Sequence, residues 1–149
     1  MVKLKKLIIA CDGESASGKS TAAKLVSNKY KLTLINSGLL YRYCSKMLIK
    51  HKPKDIIQFL KKKFKTVSYN KIAKLNLHSE VISNHVAVIA KNKKIREIVN
   101  QVQMKIVRSN NRICIEGRDI ASKILAKNPR YDVAFYFRCS LEVAAYRRW

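Results

Sequence analysis

Residues Leu7 to Lys24 constrain this chain more than any other stretch. The apolar run LIIAC feeds a loop of small residues, DGESASGKST, which passes into the helix-compatible AAK. The pattern Gly-x-x-x-x-Gly-Lys-Ser is met at Gly13, Gly18, Lys19 and Ser20, the spacing of a phosphate-binding loop. Gly13 and Gly18 reach backbone angles closed to other residues, so the span Gly13, Glu14, Ser15, Ala16, Ser17, Gly18 can fold back with its N–H groups turned inward as an anion nest. A helix starting near Lys19 adds its positive dipole end to the same spot. Lys19 is then placed to reach the β and γ phosphates of a nucleoside triphosphate, and the Ser20 hydroxyl to take one position on magnesium, with Thr21 completing the binding set.

A glycine-containing turn between any strand and helix could satisfy the same pattern, so the flanks decide. Leu7 to Cys11 is a continuous apolar run of strand length, as in a strand buried on both faces of a parallel sheet. Ser20 to Tyr30 places Ala22, Ala23, Val26 and Tyr30 at helical spacing without Gly or Pro. Both flanks favour the phosphate loop.

At 149 residues the chain suits one domain with a proper core. No apolar run approaches the roughly 18 residues that span a bilayer, and the start lacks the long apolar core of a signal peptide, so a cytoplasmic protein is expected. The net charge of +23 comes from 32 Lys and Arg against 9 Asp and Glu, enough to attract phosphates of any kind. A nucleic-acid binder would concentrate that charge in a stripe with interleaved aromatics. Here Lys runs evenly from Lys3 to Lys127, which favours compositional bias, with non-specific nucleic-acid binding still expected at low salt. Cys11, Cys44, Cys114 and Cys139 form no Cys-x-x-Cys pair and no metal spacing with His51, His78 or His85. They read as free, mostly buried thiols.

The remaining pattern alternates. A strand at Leu32–Ile35 ends in Asn36-Ser37-Gly38, and helical spacing follows over Leu39–Ile49 and Lys54–Phe64. Weak alternation over Lys65–Leu77 suggests short antiparallel strands. Helical periodicity returns over Val81–Ala90 and Ile95–Val107, where Ile95, Ile98, Val99, Val102 and Ile106 make an apolar stripe. Ile113–Ile115 is a third strand ending at Glu116-Gly117-Arg118-Asp119, Ser122–Lys127 a short helix and Val133–Phe137 a fourth strand. Ser140 caps a last helix, with Glu142 in its first turn. Strands alternating with helices imply an α/β fold with a mainly parallel sheet, whose ligands gather outside the carboxyl ends of its strands.

Taken together, Asp12-Gly13, Ser17 to Thr21, Ser37-Gly38-x-x-Tyr41-Arg42 and Glu116-Gly117-Arg118-Asp119 resemble, in order and rough spacing, the motifs of bacterial cytidylate kinase. Arg147-Arg148 resembles the double arginine at that family's approach to its lid. The resemblance implies a three-layer P-loop kinase fold and transfer of the γ-phosphoryl group of ATP to CMP or dCMP, with magnesium. It assigns Lys19 and Ser20 to the ATP phosphates and metal, Arg42 and Arg118 to the CMP phosphate, Asp119 to cytosine, and Ser37 to the neighbourhood of the sugar. On those roles Lys19, Arg42 and Arg118 are the catalytic set. Ser37 could equally cap the helix behind it, Arg118 and Asp119 could pair with one another, and Glu116 could orient magnesium-bound water or simply end a strand.

Several positions depart from the family pattern. Glu14 replaces a common proline, Asn36 a usual aspartate, and Gln103-Met104 stands where a glutamine-arginine pair is expected. The stretch of about 65–80 looks like a shortened CMP-binding insert. The family's chain runs on through a fifth strand and a lid, so residues 1–149 read as a single kinase domain incomplete at its C-terminus, either a fragment or a degenerate copy of reduced activity. A fourth strand lacking its neighbour would leave an apolar edge exposed; a complete chain is expected to be a monomer. Two other functions fit the residues less fully: another small-molecule P-loop kinase, for dephospho-coenzyme A or a different nucleotide, and a basic nucleic-acid-binding protein on a retired kinase fold.

Overall fold

The computed structural model describes residues 5–147. They divide into two compact units, one made of residues up to Asn36 together with those from Lys105 onward, the other of Ser37–Met104.

The first unit is built on four parallel strands, β1 (Leu7–Gly13), β2 (Thr33–Asn36), β3 (Arg112–Gly117) and β4 (Val133–Phe137), in the order β2-β3-β1-β4. Parallel strands need crossovers, and the apolar runs at Leu7 and Ile113 suit strands covered on both faces. Ile8, Ala10, Cys11, Ile113, Cys114 and Ile115 are accordingly fully buried. The register pairs Cys11 with Glu116 and Asp12 with Gly117 across β1 and β3, and Asn36 with Glu116 across β2 and β3, so these strand ends sit side by side. Helix α1 (Lys19–Tyr30) packs Ala23 onto Ile9, Cys11, Leu32 and Cys114. Its C-terminus turns through Lys31 at φ +52°, and the Leu32 N–H then bonds the Ser27 carbonyl at 2.8 Å. Arg112 locks the lower rim, donating to the carbonyls of Lys5 and Tyr30, both at 2.6 Å.

The expected short helix at Ser122–Lys127 is a correction. A single π-helical turn spans Ile120–Ile124 instead, closed by the Leu125 N–H on the Ile120 carbonyl at 2.7 Å. The physical reason lies upstream. The N–H groups of Ile120 and Ala121 are both taken by the Asp12 carboxylate, so coiling starts two residues early, and Ile120, Ile124 and Leu125 turn inward.

β4 is an edge strand bonded only to β1 among the described residues. Val133, Phe135 and Tyr136 stand 40%, 42% and 59% exposed, the apolar edge expected above. The last helix, α7 (Leu141–Tyr146), has Ser140 as its N-cap, accepting from the Val143 N–H at 3.3 Å. Arg148 of the double arginine lies outside the described residues.

The second unit is all helical: α2 (Ser37–His51), α3 (Ile56–Thr66), α4 (Tyr69–Ala73), α5 (Glu80–Ile89) and most of α6 (Lys93–Arg108). Asp55, Ser68 and Ser79 cap α3, α4 and α5 by accepting backbone N–H bonds. Each such cap contributes about 1 kcal/mol. The antiparallel strands expected over Lys65–Leu77 are not there. Ser68 starts a helical turn, and Ile72 and Leu77 descend into a core built by Leu40, Tyr43, Cys44, Leu48, Leu60, Ile89, Ile95, Ile98 and Val99. The apparent alternation reflects two anchors five residues apart, and tertiary burial decides over a weak local pattern. Truncating Leu60 to alanine in this core would cost about 2–5 kcal/mol.

Cys44 is fully buried in that core, and burial pushes its thiol from an ordinary 9.0 up to about 12. The folded state therefore holds this proton more tightly than the unfolded chain. Its contribution to stability is whole below pH 9.0 and is lost as the pH rises towards about 12. In denaturation series at rising pH, the stability difference between the wild-type chain and Cys44→Ala should shrink by up to ~1.4 kcal/mol per unit above about pH 9. A difference that stays flat from about pH 8 to about pH 11 would contradict the burial.

Candidate functional site

β1 delivers the phosphate loop. Gly13 has φ +152°, and a Cβ placed there would run into the carbonyl oxygen of Phe137 on β4, so only glycine lets the two strands close up at the loop's root. Gly18, at φ +86°, is the N-cap of α1, and Ala16 is also left-handed at φ +64°. These reversals turn the chain back on itself as the glycine spacing anticipates. Ser17 is buried and ties the loop internally, its hydroxyl donating to the Glu14 carbonyl at 2.9 Å.

Lys19 folds over the loop and donates from Nζ to the Gly13 carbonyl at 3.2 Å. The groove beside it has a volume of about 540 Å³ and is lined by Glu14, residues 16–22, Leu25 and Arg147. Ser20 and Thr21 are thus on its wall, as is the Glu14 carboxylate, which sets a negative charge against the two cations. Arg147 was visible in the sequence only as half of a double arginine. Its structural part is larger: Nη1 donates to the carbonyl of Ala16 at 3.0 Å, so this cation both braces the left-handed residue and faces the groove. Cys139 also approaches the Ala16 carbonyl, at 3.8 Å.

The corner after β3 lies in the same unit. Glu116 is buried at the strand's end, Arg118 is exposed, and the Asp119 carboxylate pairs with Lys123 at 2.8 Å on the surface. Asp12, noted in the sequence with Gly13 as part of a motif but given no role, is only 5% exposed and accepts from the Ile120 and Ala121 N–H groups at 2.7 and 2.8 Å. The aspartate before Gly13 was the signal available, and its partners lie over a hundred residues away in the chain.

In the helical unit, Ser37 is buried as the first residue of α2. Arg42 donates twice from Nη1, to the Leu77 carbonyl at 3.1 Å and to the Ser83 hydroxyl at 2.9 Å. Gln103 falls within the apolar stripe of α6, four residues from Val99, and is 1% exposed; its Oε1 has no hydrogen-bond partner among the described residues.

No group of three His, Cys, Asp or Glu among the described residues could hold a metal by itself. Magnesium does not require one. It keeps most of its waters and takes one or two protein oxygens beside the substrate phosphates. The Ser20 hydroxyl in the groove wall is a donor of that kind. Cys11 and Cys114, 3.8 Å apart across β1 and β3, do not compete for a metal. The hydrogen bond between them and their burial hold the Cys11 thiol far above its ordinary value and so protonated. Among the described residues no helix is long and apolar enough to cross a membrane.

Residues 9–149 match the family model described as cytidylate kinase. The chain is 31% identical over 157 residues to the cytidylate kinase of Mesomycoplasma hyopneumoniae strain 7448, an alignment covering 97% of this chain and 67% of that protein. It is 34% identical over 155 residues to the cytidylate kinase of Mycoplasmopsis synoviae strain 53, covering 96% and 70%. Against the cytidylate kinase of Clostridioides difficile strain 630 it is 31% identical over 154 residues, covering 96% and 69%.

Lys19→Ala removes a charge-assisted contact worth about 2 kcal/mol, roughly 30-fold in affinity for a nucleoside triphosphate. Lys19 is half-exposed and among the described residues bonds to the Gly13 carbonyl alone, so the thermal midpoint should hold. Titration calorimetry with wild-type affinity in the variant would remove Lys19 from the site.

Proposed function

Because the chain belongs to the cytidylate kinase family, we propose that it transfers the γ-phosphoryl group of ATP to CMP or dCMP, yielding ADP and CDP or dCDP. The observation that supports this most is the left-handed loop at Ala16 and Gly18, with Lys19 and Arg147 on the wall of one groove. Phosphoryl transfer asks a protein for positioning and charge neutralisation more than for covalent help. A loop of inward N–H groups, a helix N-terminus and two cations supply both.

Within this reading the span Gly13–Thr21 binds ATP. Lys19 neutralises the β and γ phosphates, and Leu25, exposed on the groove wall, gives the nucleotide an apolar side to lie against. The Ser20 hydroxyl would hold magnesium, which would supply neutralisation of phosphate charge there. Arg118 in the sheet-bearing unit is a candidate to grip the phosphate of CMP, since a guanidinium fork matches phosphate oxygens bidentately, and Arg42 offers the same chemistry in the helical unit. Two of the five Arg42 donors are committed to Leu77 and Ser83, which aims the rest. Asp119 accepts from the exocyclic amine of cytosine. Its exposed pair with Lys123 is worth too little to prevent that. Ser37 stands at the sugar.

The family match does not favour the dephospho-coenzyme A alternative. We take the enzyme to act in the cytoplasm, on the nucleotides it would meet there. The charge adds non-specific nucleic-acid binding, for which α3 and α4 are best suited: between Asp55 and Glu80 there are six lysines and no carboxylate side chain. The apolar side of α3 is occupied by Leu60 and its neighbours in the core, so its lysines act from solvent and not from within a lipid surface.

A coupled assay should give CDP from CMP and dCDP from dCMP, with UMP and AMP at least roughly tenfold slower, since a site built to hydrogen-bond one base rejects others strongly. A preference for AMP, or no transfer to CMP by the folded chain and by a chain lengthened to match its relatives, would overturn the assignment. Retention on single-stranded RNA should fall steeply between roughly 50 and 200 mM salt.

A further inference from the structure

We propose that Asp12 is a positioning residue that couples the phosphate loop to the Gly117-Arg118-Asp119 corner. Asp12 is the penultimate residue of β1, immediately before the loop, and it is 5% exposed. Its two oxygens do one job: Oδ1 accepts the Ile120 N–H at 2.7 Å and Oδ2 the Ala121 N–H at 2.8 Å. Those are the first two residues after Arg118-Asp119. On its other side, the Gly13 carbonyl one residue along receives Lys19 Nζ at 3.2 Å. A single buried carboxylate therefore stands between the group that receives Lys19 and the backbone that carries Arg118.

The device has a physical reason. Arg118 is exposed and sits on two irregular residues between β3 and a π-helical turn, a segment with little regular structure of its own. Pairing of β1 with β3 stops at Asp12 and Gly117, so the strands no longer hold the corner beyond that register. Two charge-assisted bonds extend the constraint by four residues. Burial makes the bonds stiff, because a carboxylate withdrawn from water has no competing solvent partners. With Arg118 on one end and the loop on the other, the distance between the phosphate that gives and the phosphate that receives becomes a property of the backbone. Misplacement of reacting groups by about 1 Å costs on the order of a hundredfold in rate, so such a tether is worth having.

This inference rests on the kinase reading for the use of Arg118, but the tether itself does not. Asp12→Asn keeps the shape and loses the charge; its amide group confronts one N–H where an oxygen had been. Backbone hydrogen exchange should accelerate at Ile120 and Ala121 by about tenfold or more, with the interior of β3 unchanged. By calorimetry the variant should bind CMP about tenfold more weakly and ATP within about twofold of wild type, because only the corner is released. Asp12→Glu, which restores the charge one methylene too long, should recover exchange protection in part and CMP affinity in part; it also serves if the asparagine variant does not fold. Equal loss of affinity for both nucleotides would reduce Asp12 to a structural residue and overturn the proposal, as would unchanged exchange at Ile120 and Ala121. A wild-type chain that binds ATP but no CMP would remove the role through the kinase reading, and the exchange data would still show whether the tether exists.

Discussion

Everything in the sheet-bearing unit hangs on β1, which is hydrogen-bonded to β3 on one side and to β4 on the other. Both neighbours run parallel to it, so three strand ends reach the same rim, and the loop that continues β1 opens between them. The close approach is enforced at Gly13, where any side chain would strike the Phe137 carbonyl. A strand so placed must be apolar on both faces, and Ile8, Ile9, Ala10 and Cys11 meet that demand. Asp12, the first polar residue after them, is tolerated in a buried position because both its oxygens are satisfied by backbone donors.

Charge is distributed with the same economy. The chain carries +23, yet the loop's own surroundings are mixed: Lys19 and Arg147 line the groove together with Glu14. Glu14 lowers the local positive field that an anionic nucleotide meets, and Arg147 on the same wall adds to it. Thiols are kept out of the chemistry by burial, since Cys11 and Cys44 are both driven toward the protonated form. In the helical unit Gln103 is left with an unpartnered side-chain oxygen among the described residues.

The edge at β4 is the least settled surface of the unit. A parallel edge strand with Val133, Phe135 and Tyr136 exposed leaves both apolar side chains and backbone groups uncovered. The alignments cover 67–70% of the relatives' lengths, so about a third of each relative's own length lies outside them. α7 beside it is likewise thinly packed, and none of its residues is buried.

Local chemistry was enough for the sequence to determine the phosphate loop, the strand before it, the helix after it and the four strands as segments of the chain, because glycine spacing and runs of apolar residues act through neighbours in the chain; their order in the sheet, β2-β3-β1-β4, was not legible there. Capping serines such as Ser140 were legible for the same reason. Tertiary structure alone decided the rest. Weak alternation over Lys65–Leu77 gave way to a helical turn once Ile72 and Leu77 found a core, and the π-helical turn at Ile120 exists because a carboxylate from the far end of the chain claims its first two donors. Arg147 meets the Ala16 carbonyl across 131 residues, a pairing no window along the chain could contain. Periodicity reports which face of an element is apolar; it carries no information about which distant backbone groups a buried polar side chain will be made to satisfy.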